Sequence, residues 1–147
     1  MNRLKITFAC TCVITLLLGC TKAPTVVPLS EVPLTLSAEP TVLKIEPPLL
    51  RVNRDLSIRI QMKEKWDAEP PWKDIRLQDG TKVTIGAVLI SDTGAKYHPI
   101  VIGSAGSELN LRFNDTVPKD VKIVMIELTS THPLTALKVK WVDWNPK

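Results

Sequence analysis

The chain has 147 residues, of which 44% are hydrophobic and 23% charged, so it is long enough for one domain with a sizeable apolar core. Its formal net charge of +4 is too small for the strong basic footprint of a nucleic-acid-binding protein, which argues against that class of partner. Cys10, Cys12 and Cys20 all lie within the first twenty residues, so no disulfide framework is expected in the rest of the chain.

Residues 1–19 have the order of an export signal. Arg3 and Lys5 precede an apolar run of about a dozen residues that ends at the small residue Gly19. This run is shorter than the roughly 20 residues that a transmembrane helix needs. The sequence therefore predicts a signal that is cleaved before Cys20. Its removal leaves Cys20 as the only thiol and lowers the net charge from +4 to about +2.

The signal ends in the sequence Leu17-Leu18-Gly19-Cys20. This order resembles the lipobox of bacterial lipoproteins, in which aliphatic and small residues precede a cysteine. In that family the cysteine sulfur receives a diacylglycerol, the chain is cut just before it, and the new amino terminus commonly carries a further fatty acid such as palmitate. The resemblance implies a bacterial envelope protein lipidated at Cys20, with no other cofactor. The alternatives are an ordinary small residue near a simple cleavage site, or a thiol that pairs between chains.

The residue after the cysteine bears on which membrane holds the protein. In Gram-negative lipoproteins an Asp at this position favours retention in the inner membrane, whereas this chain has Thr21. By resemblance, the outer membrane is favoured over the inner one. One acyl chain binds a bilayer only reversibly at about 0.8 kcal/mol per buried methylene, so two or three chains on one cysteine give a lasting anchor.

Residues 20–40 are rich in proline, with Pro24, Pro28, Pro33 and Pro40. Proline fixes the backbone dihedral and lacks an N–H donor, so neither a helix nor a central strand is expected here. The segment is predicted to be a semi-rigid tether of ~3.1 Å per residue, or about 60 Å in all. As an alternative, its apolar residues dock on the domain or form an edge strand. The folded domain is expected to span residues 41–147.

The rest of the chain has the period of β-strands. Apolar and polar residues alternate over 56–62, 109–113 and 137–141, while residues 123–126 are apolar throughout, as in a central strand covered on both faces. Turn signals such as Asp79-Gly80 separate these runs. We therefore predict an all-β fold, a single antiparallel β-sandwich of about seven or eight strands. It resembles in architecture the immunoglobulin-like domains of bacterial envelope proteins, without the two-cysteine hallmark of antibody domains.

The stretch from Trp66 to Asp74 is the most unusual one in the predicted domain, since two tryptophans flank three acids and two prolines. Trp is enriched at binding hot spots, and prolines reduce the entropy lost on docking. The sequence predicts a loop that binds a partner through Trp66, Pro70, Pro71 and Trp72. As an alternative, one or both indoles close the open end of the sandwich as part of its core.

Neither a metal site nor a catalytic site is predicted. The acids of the tryptophan stretch lack the spacing of a calcium loop. His98 and His132 are the only histidines, and two separated imidazoles do not make a zinc site. The stretch 103–107 lacks the Gly-x-Ser-x-Gly order of a nucleophile elbow. The chain is therefore expected not to be an enzyme.

The C-terminal run places Lys138 and Lys140 on one face of a strand and Trp141 on the other. We expect an edge strand that its lysines protect against pairing with another copy, with Trp141 in the core. As an alternative, the run is a cationic, aromatic edge that contacts lipid phosphates, sugars or an acidic partner. Trp144, just past the alternation, is the further candidate for an exposed binding residue.

These features together predict a non-enzymatic, lipid-anchored module whose loops bind another envelope component, most of all a protein. One alternative is an inhibitor or immunity lipoprotein that blocks a secreted hydrolase or toxin in the periplasm. A further alternative is a carbohydrate-binding module, in which tryptophans stack on sugar rings. The oligomeric state is left open.

Overall fold

A computed structural model describes residues 23–70 and 72–145 of the protein. In these residues the backbone forms twelve β-strands and one short 3-10 turn at Asn114–Thr116. The strands are β1 (Thr25–Ser30), β2 (Leu34–Leu36), β3 (Thr41–Leu50), β4 (Asp55–Met62), β5 (Trp66–Glu69), β6 (Asp74–Leu77), β7 (Lys82–Ser91), β8 (Lys96–Tyr97), β9 (Val101–Ala105), β10 (Glu108–Arg112), β11 (Lys122–Ser130) and β12 (Leu134–Trp144).

The strands form two antiparallel sheets that pack face to face. Sheet A has the order β1-β12-β4-β10-β9, with β2 also beside β12, and sheet B has the order β3-β11-β7-β6-β5, with β8 beside β7. The predicted all-β sandwich is confirmed. The likeness to immunoglobulin-like domains stays a prediction from the sequence, because many sandwich domains share this architecture without sharing strand connections. The strand number exceeds the expected seven or eight because the proline-rich segment and several short segments also pair.

The core lies between the sheets and follows the predicted alternation. Leu56, Ile58 and Ile60 of β4 are fully buried, as are Leu109 and Leu111 of β10. Side chains two residues apart in a strand point to the same face, so each of these strands gives one apolar row to the core. In sheet B, β11 is a central strand as predicted; Ile123 and Ile126 are buried, while Val124 and Met125 are half-buried.

The proline-rich segment belongs to the sandwich from Thr25 onward, which differs from the tether expected over residues 20–40 and the domain start expected at residue 41. Thr25 pairs with Asp143, and Leu36 pairs with Leu134 and is fully buried. Apolar burial therefore fixes this segment as the edge of sheet A. An edge strand tolerates Pro28 because its outward side needs no N–H donor.

The strand β12 is central, not the edge strand that the lysine pattern favoured. It lies between β4 on one side and β1 and β2 on the other. Lys140 pairs with Arg59 on the outer face of sheet A, whereas Trp141 is 1% exposed in the core, as predicted. The edge of sheet A is formed by β1 and β2, because these N-terminal strands pair with β12.

The register of the strands defines two ends of the sandwich. The first end carries the start of β1, the end of β12 and the β3–β4 loop, since Thr25 pairs with Asp143 and Trp144 pairs with Asp55. The second end carries the β9–β10 and β11–β12 turns. Among residues 23–70 and 72–145, no helix is long and apolar enough to cross a bilayer.

Candidate functional site

The tryptophan stretch is a β-hairpin, not one continuous loop. Trp66 pairs with Leu77 and Glu69 pairs with Asp74, so β5 and β6 run side by side and only the tip is a turn. The hairpin forms because Ile75 and Leu77 point inward from β6 and are buried in the core. The predicted recognition loop is thus divided between the two ends of a hairpin.

The two tryptophans lie in different environments. Trp66 is half-buried and packs against the core, in line with the alternative that treated an indole as a lid. Trp72 is 48% exposed at the hairpin tip, next to the exposed Pro70. Pro71 lies outside the described residues. Of the predicted contact residues, the structure therefore places Pro70 and Trp72 together and Trp66 apart from them.

The backbone of Trp72 is held in an unusual conformation. Its φ of 65° lies in the left-handed region, which costs a bulky residue about 1–3 kcal/mol. The N–H of Trp72 donates to the carbonyl of Glu69 at 2.9 Å, and its carbonyl accepts from the N–H of Ile102 in β9 at 2.8 Å. The first hydrogen bond closes the hairpin turn, and the second joins the hairpin tip to the edge of sheet A. The backbone that carries the exposed indole is therefore fixed before any partner arrives.

Beside Trp72 lies a notch of about 270 Å³, which we call the Trp72 notch. Its walls are mainly apolar, and Ile100 at its edge is 53% exposed. The exposed side chains of Lys73 and His98 also line it. Ile100 was not predicted as a site residue, because a single apolar residue before a strand gives no signal of exposure in the sequence. The residues that line the notch include Trp72, Lys73, Ala87, His98, Pro99 and Ile100.

The notch exists because one stretch of β7 has no neighbouring strand on this side. Within the described residues, β6 pairs with β7 as far as Thr84, and β8 begins to pair only at Leu89. The N–H of Ser91 donates to the carbonyl of Ala95 on this side. Because hydrogen-bonding direction alternates along a strand, the backbone groups of Ala87 point into the same gap. The notch thus offers apolar walls together with main-chain polar groups.

Polar contacts hold the hairpin that carries Trp72. Asp74 accepts a hydrogen bond from the Thr84 hydroxyl at 2.6 Å and forms an ion pair with Lys82 at 3.0 Å. The hydrogen bond from Thr84, followed by the one from Lys82, lowers the pKa of Asp74 below its usual value of 3.8. Arg76 pairs with Glu69 across the hairpin at 2.6 Å. Two acids of the predicted loop, Glu69 and Asp74, therefore stabilise the hairpin, whereas the third, Asp67, is exposed.

Trp66 contributes to a second, more polar pocket of about 500 Å³. Asp67, Lys65, Gln78 and Ser104 line it together with the indole. Met62 at the end of β4 and the β9–β10 turn also border it, which places it toward the second end of the sandwich. The Trp66 pocket and the Trp72 notch share no lining residue and are separate sites.

Trp144 lies apart from both sites. It is the last residue of β12, pairs with Asp55 and is half-buried at the first end of the sandwich. The structure therefore does not join the candidate residues Trp66, Trp72 and Trp144 into one surface. The lipidation residue Cys20 lies outside the described residues.

No cluster of three or more His, Cys, Asp or Glu side chains that could hold a metal ion occurs in residues 23–70 and 72–145. His98 lies between β8 and β9, and His132 lies in the β11–β12 turn at the second end. Both side chains are exposed.

Comparisons with protein-family models, with curated proteins and with solved structures found no match for this chain.

Proposed function

We propose that this chain is a lipid-anchored, non-enzymatic envelope lipoprotein that binds a protein partner through the Trp72 notch. The observation that carries the proposal is the half-exposed indole of Trp72 beside an apolar notch, on a strained backbone held from two sides. Strained residues persist where the surrounding structure fixes them, and they concentrate at functional sites.

The notch has the chemistry of a protein-binding hot spot. A large aromatic side chain at the centre of a contact contributes much of the binding free energy, and a fixed backbone reduces the entropy lost on binding. Ile100 extends the apolar surface of Trp72. A partner loop can insert an apolar side chain into the notch while its backbone meets the polar groups of Ala87. An inhibitor of a secreted hydrolase would insert the same hairpin tip into the cleft of the enzyme.

Lipid anchoring is supported by the lipobox-like residues 17–20 after a short apolar run with a cationic start. Changing Cys20 to Ser removes the sulfur that would carry the diacylglycerol. We expect the variant to leave the membrane fraction while keeping its melting temperature, because the sandwich begins at Thr25. Membrane fractionation and mass spectrometry of the amino-terminal peptide measure this. An unlipidated wild-type peptide contradicts the anchor.

The partner proposal is tested by photocrosslinking in intact cells of the native host. A benzophenone amino acid replaces Lys73, which is exposed beside Trp72. We expect one partner protein to be crosslinked. The yield of this crosslink should fall at least about tenfold when Ile100 is changed to Asp, because burying a charge in an apolar contact is costly. Val32→Asp is the matched control, since Val32 is also exposed but lies in the β1–β2 loop. Equal loss with both variants contradicts binding at the notch.

A carbohydrate-binding function is the second candidate, and the Trp66 pocket favours it. An indole wall with Asp67, Lys65 and Gln78 around it suits a sugar ring, which stacks on aromatic faces and uses its hydroxyls for hydrogen bonds. Titration with peptidoglycan and lipopolysaccharide fragments tests it through tryptophan fluorescence. A fluorescence change lost in Trp66→Phe and kept in Trp72→Phe assigns sugar binding to this pocket.

A further inference from the structure

The start of β1 lies close in sequence to the proposed anchor. Thr25 follows Cys20 by five positions, and five extended residues span at most about 18 Å. The reach of about 60 Å expected for a tether of residues 20–40 is therefore not available. Because Thr25 pairs with Asp143, the first end of the sandwich is the part of the domain nearest to the lipid.

The β3–β4 loop is the prominent feature of this end. Along it, Arg51 and Asn53 are buried, whereas Val52 is 60% exposed and Arg54 is also exposed. The backbone N–H groups of Val52 and Asn53 both donate to the carboxylate of Asp143. Val52 is thus fixed next to the residue that pairs with the start of β1.

Internal hydrogen bonds hold the loop in this form. The Arg51 guanidinium donates to the carbonyls of Arg54 and Asn114 at 3.1 and 2.8 Å. The side chain of Asn145 accepts from the N–H of Arg54 and donates to the side chain of Asn53. Since much of the loop's backbone is bonded within the protein, it can approach an apolar medium without losing hydrogen bonds to water.

Further apolar side chains are exposed toward the same end of the sandwich. Leu50 at the end of β3 is 42% exposed, and Val26 in β1 is 49% exposed. Trp144 lies on the neighbouring strand, and tryptophan is favoured at the boundary between headgroups and acyl chains. We call the set of Val26, Leu50, Val52, Arg54 and Trp144 the anchor-end surface.

Among residues 23–70 and 72–145, the exposed charges at this end are nearly balanced. Arg54, Lys119 and Lys122 are accompanied by Asp92, Asp115 and Asp120, and Lys96 on β8 lies near Glu127. A surface without net charge gains little from the attraction of anionic lipids. Contact of this end with a bilayer therefore depends on burial of apolar area at the interface.

We infer that the anchor-end surface rests on the bilayer, with Val52 at the level of the acyl boundary. This inference depends on the proposed lipidation of Cys20 and is independent of the notch. The sandwich then stands on its first end, with its strands along the membrane normal. The second end, with the Trp66 pocket, faces away from the lipid.

The test uses the mature lipoprotein in vesicles of phosphatidylethanolamine and phosphatidylglycerol. A single cysteine replaces either Val52 or Val32 and receives an environment-sensitive NBD dye. The two valines are matched, being 60% and 66% exposed; Val52 lies at the first end, whereas Val32 lies in the β1–β2 loop beside the middle of β12. Acylated Cys20 does not react with the dye, so one dye per chain is expected.

On reconstitution, we expect the dye at position 52 to brighten at least about twofold and to be quenched by doxyl-labelled phospholipid, because it enters the interface. The dye at position 32 should show neither change. Equal responses at both positions overturn the inference, whether both dyes respond or neither does.

A failure of the anchor itself gives a different result. An unlipidated chain has a free Cys20, takes at least two dyes and does not bind the vesicles, which overturns the anchor together with the inference. Lipidated protein that binds vesicles, with one dye and no response at position 52, overturns the orientation alone.

Discussion

Asn53 donates two hydrogen bonds to Asp143, one from its backbone and one from its side chain. The backbone N–H of Asn53 donates to Oδ1 of Asp143 at 2.9 Å, and the side-chain amide of Asn53 donates to the carbonyl of Asp143 at 3.1 Å. Both residues are buried, although 90 positions separate them in the chain. This pair joins the β3–β4 loop to β12, and through β12 to the start of β1.

The first prediction concerns the carboxylate of this pair. Asp143→Ala should lower the free energy of unfolding by about 3 kcal/mol, because it leaves one buried and one partly buried backbone N–H group without their acceptor. Asp143→Asn, which keeps one acceptor oxygen, should lower it by about half as much. Urea denaturation followed by tryptophan fluorescence measures both values. Asp92→Ala, at an exposed position, is the control and should change stability by less than about 0.5 kcal/mol.

The second prediction concerns the close approach of β7 and β11. A Cβ added at Gly86 would overlap Oγ1 of Thr129, its cross-strand partner. Gly86→Ala should therefore destabilise the protein by about 1–3 kcal/mol through overpacking. In the Thr129→Ala background the same change should be nearly neutral, because the clashing hydroxyl is gone. A double-mutant cycle from thermal unfolding measures the coupling. If Gly86→Ala lowers stability equally in both backgrounds, the overlap with the Thr129 hydroxyl is not the cause of the destabilisation.

The third prediction separates the binding role of Trp72 from its backbone strain. Trp72→Ala and Trp72→Gly both remove the indole, so both should weaken capture of the partner. Glycine adopts the left-handed conformation freely, so Trp72→Gly should be more stable than Trp72→Ala by about 1 kcal/mol. Calorimetric melting of the two variants measures the difference. If alanine proves the more stable of the two, the positive φ is not a source of strain.

The fourth prediction concerns acid stability. The Thr84 hydroxyl and Lys82 favour ionised Asp74, so its pKa is lower in the folded than in the unfolded chain. The stabilisation is therefore present above the ordinary pKa of 3.8 and is lost as the pH falls through the lower folded value. Asp74→Asn should be less stable than the wild type at pH 6, with a difference that shrinks below about pH 3.8.

Melting temperatures of both proteins over a series of acid pH values measure this effect. Glu39→Gln, at an exposed position in the β2–β3 loop, is the control and should follow the wild type at every pH. A constant difference between Asp74→Asn and the wild type across the series contradicts the role of Asp74 ionisation.

The fold class and much of the core could be predicted from the sequence, because strand periodicity is local. The alternation around Ile58 and Leu109 requires only that neighbouring side chains point to opposite faces. The turn at Gly80 was also predictable, since Asp-Gly adopts a positive φ easily and Gly80 has a φ of 87°.

The candidate site was predicted only in part. Trp72 is an exposed residue, but Trp66 is not its neighbour in a shared loop, because pairing across the β5–β6 hairpin separates them. The notch depends on where β6 stops and β8 starts along β7, which no short stretch of sequence encodes. Ile100 becomes a candidate contact residue only through its place beside that gap.

The sequence by itself determined the two-residue rhythm of the strands, the turns between them and the lipobox-like order before Cys20, since each depends on residues adjacent in the chain. Only the tertiary structure decided that Thr25 pairs with Asp143, which makes the proline-rich segment an edge strand and β12 a central one. The physical reason is that proline excludes a central strand but not an edge, and the choice between tether and edge depends on apolar burial of Leu36 against residues about a hundred positions away.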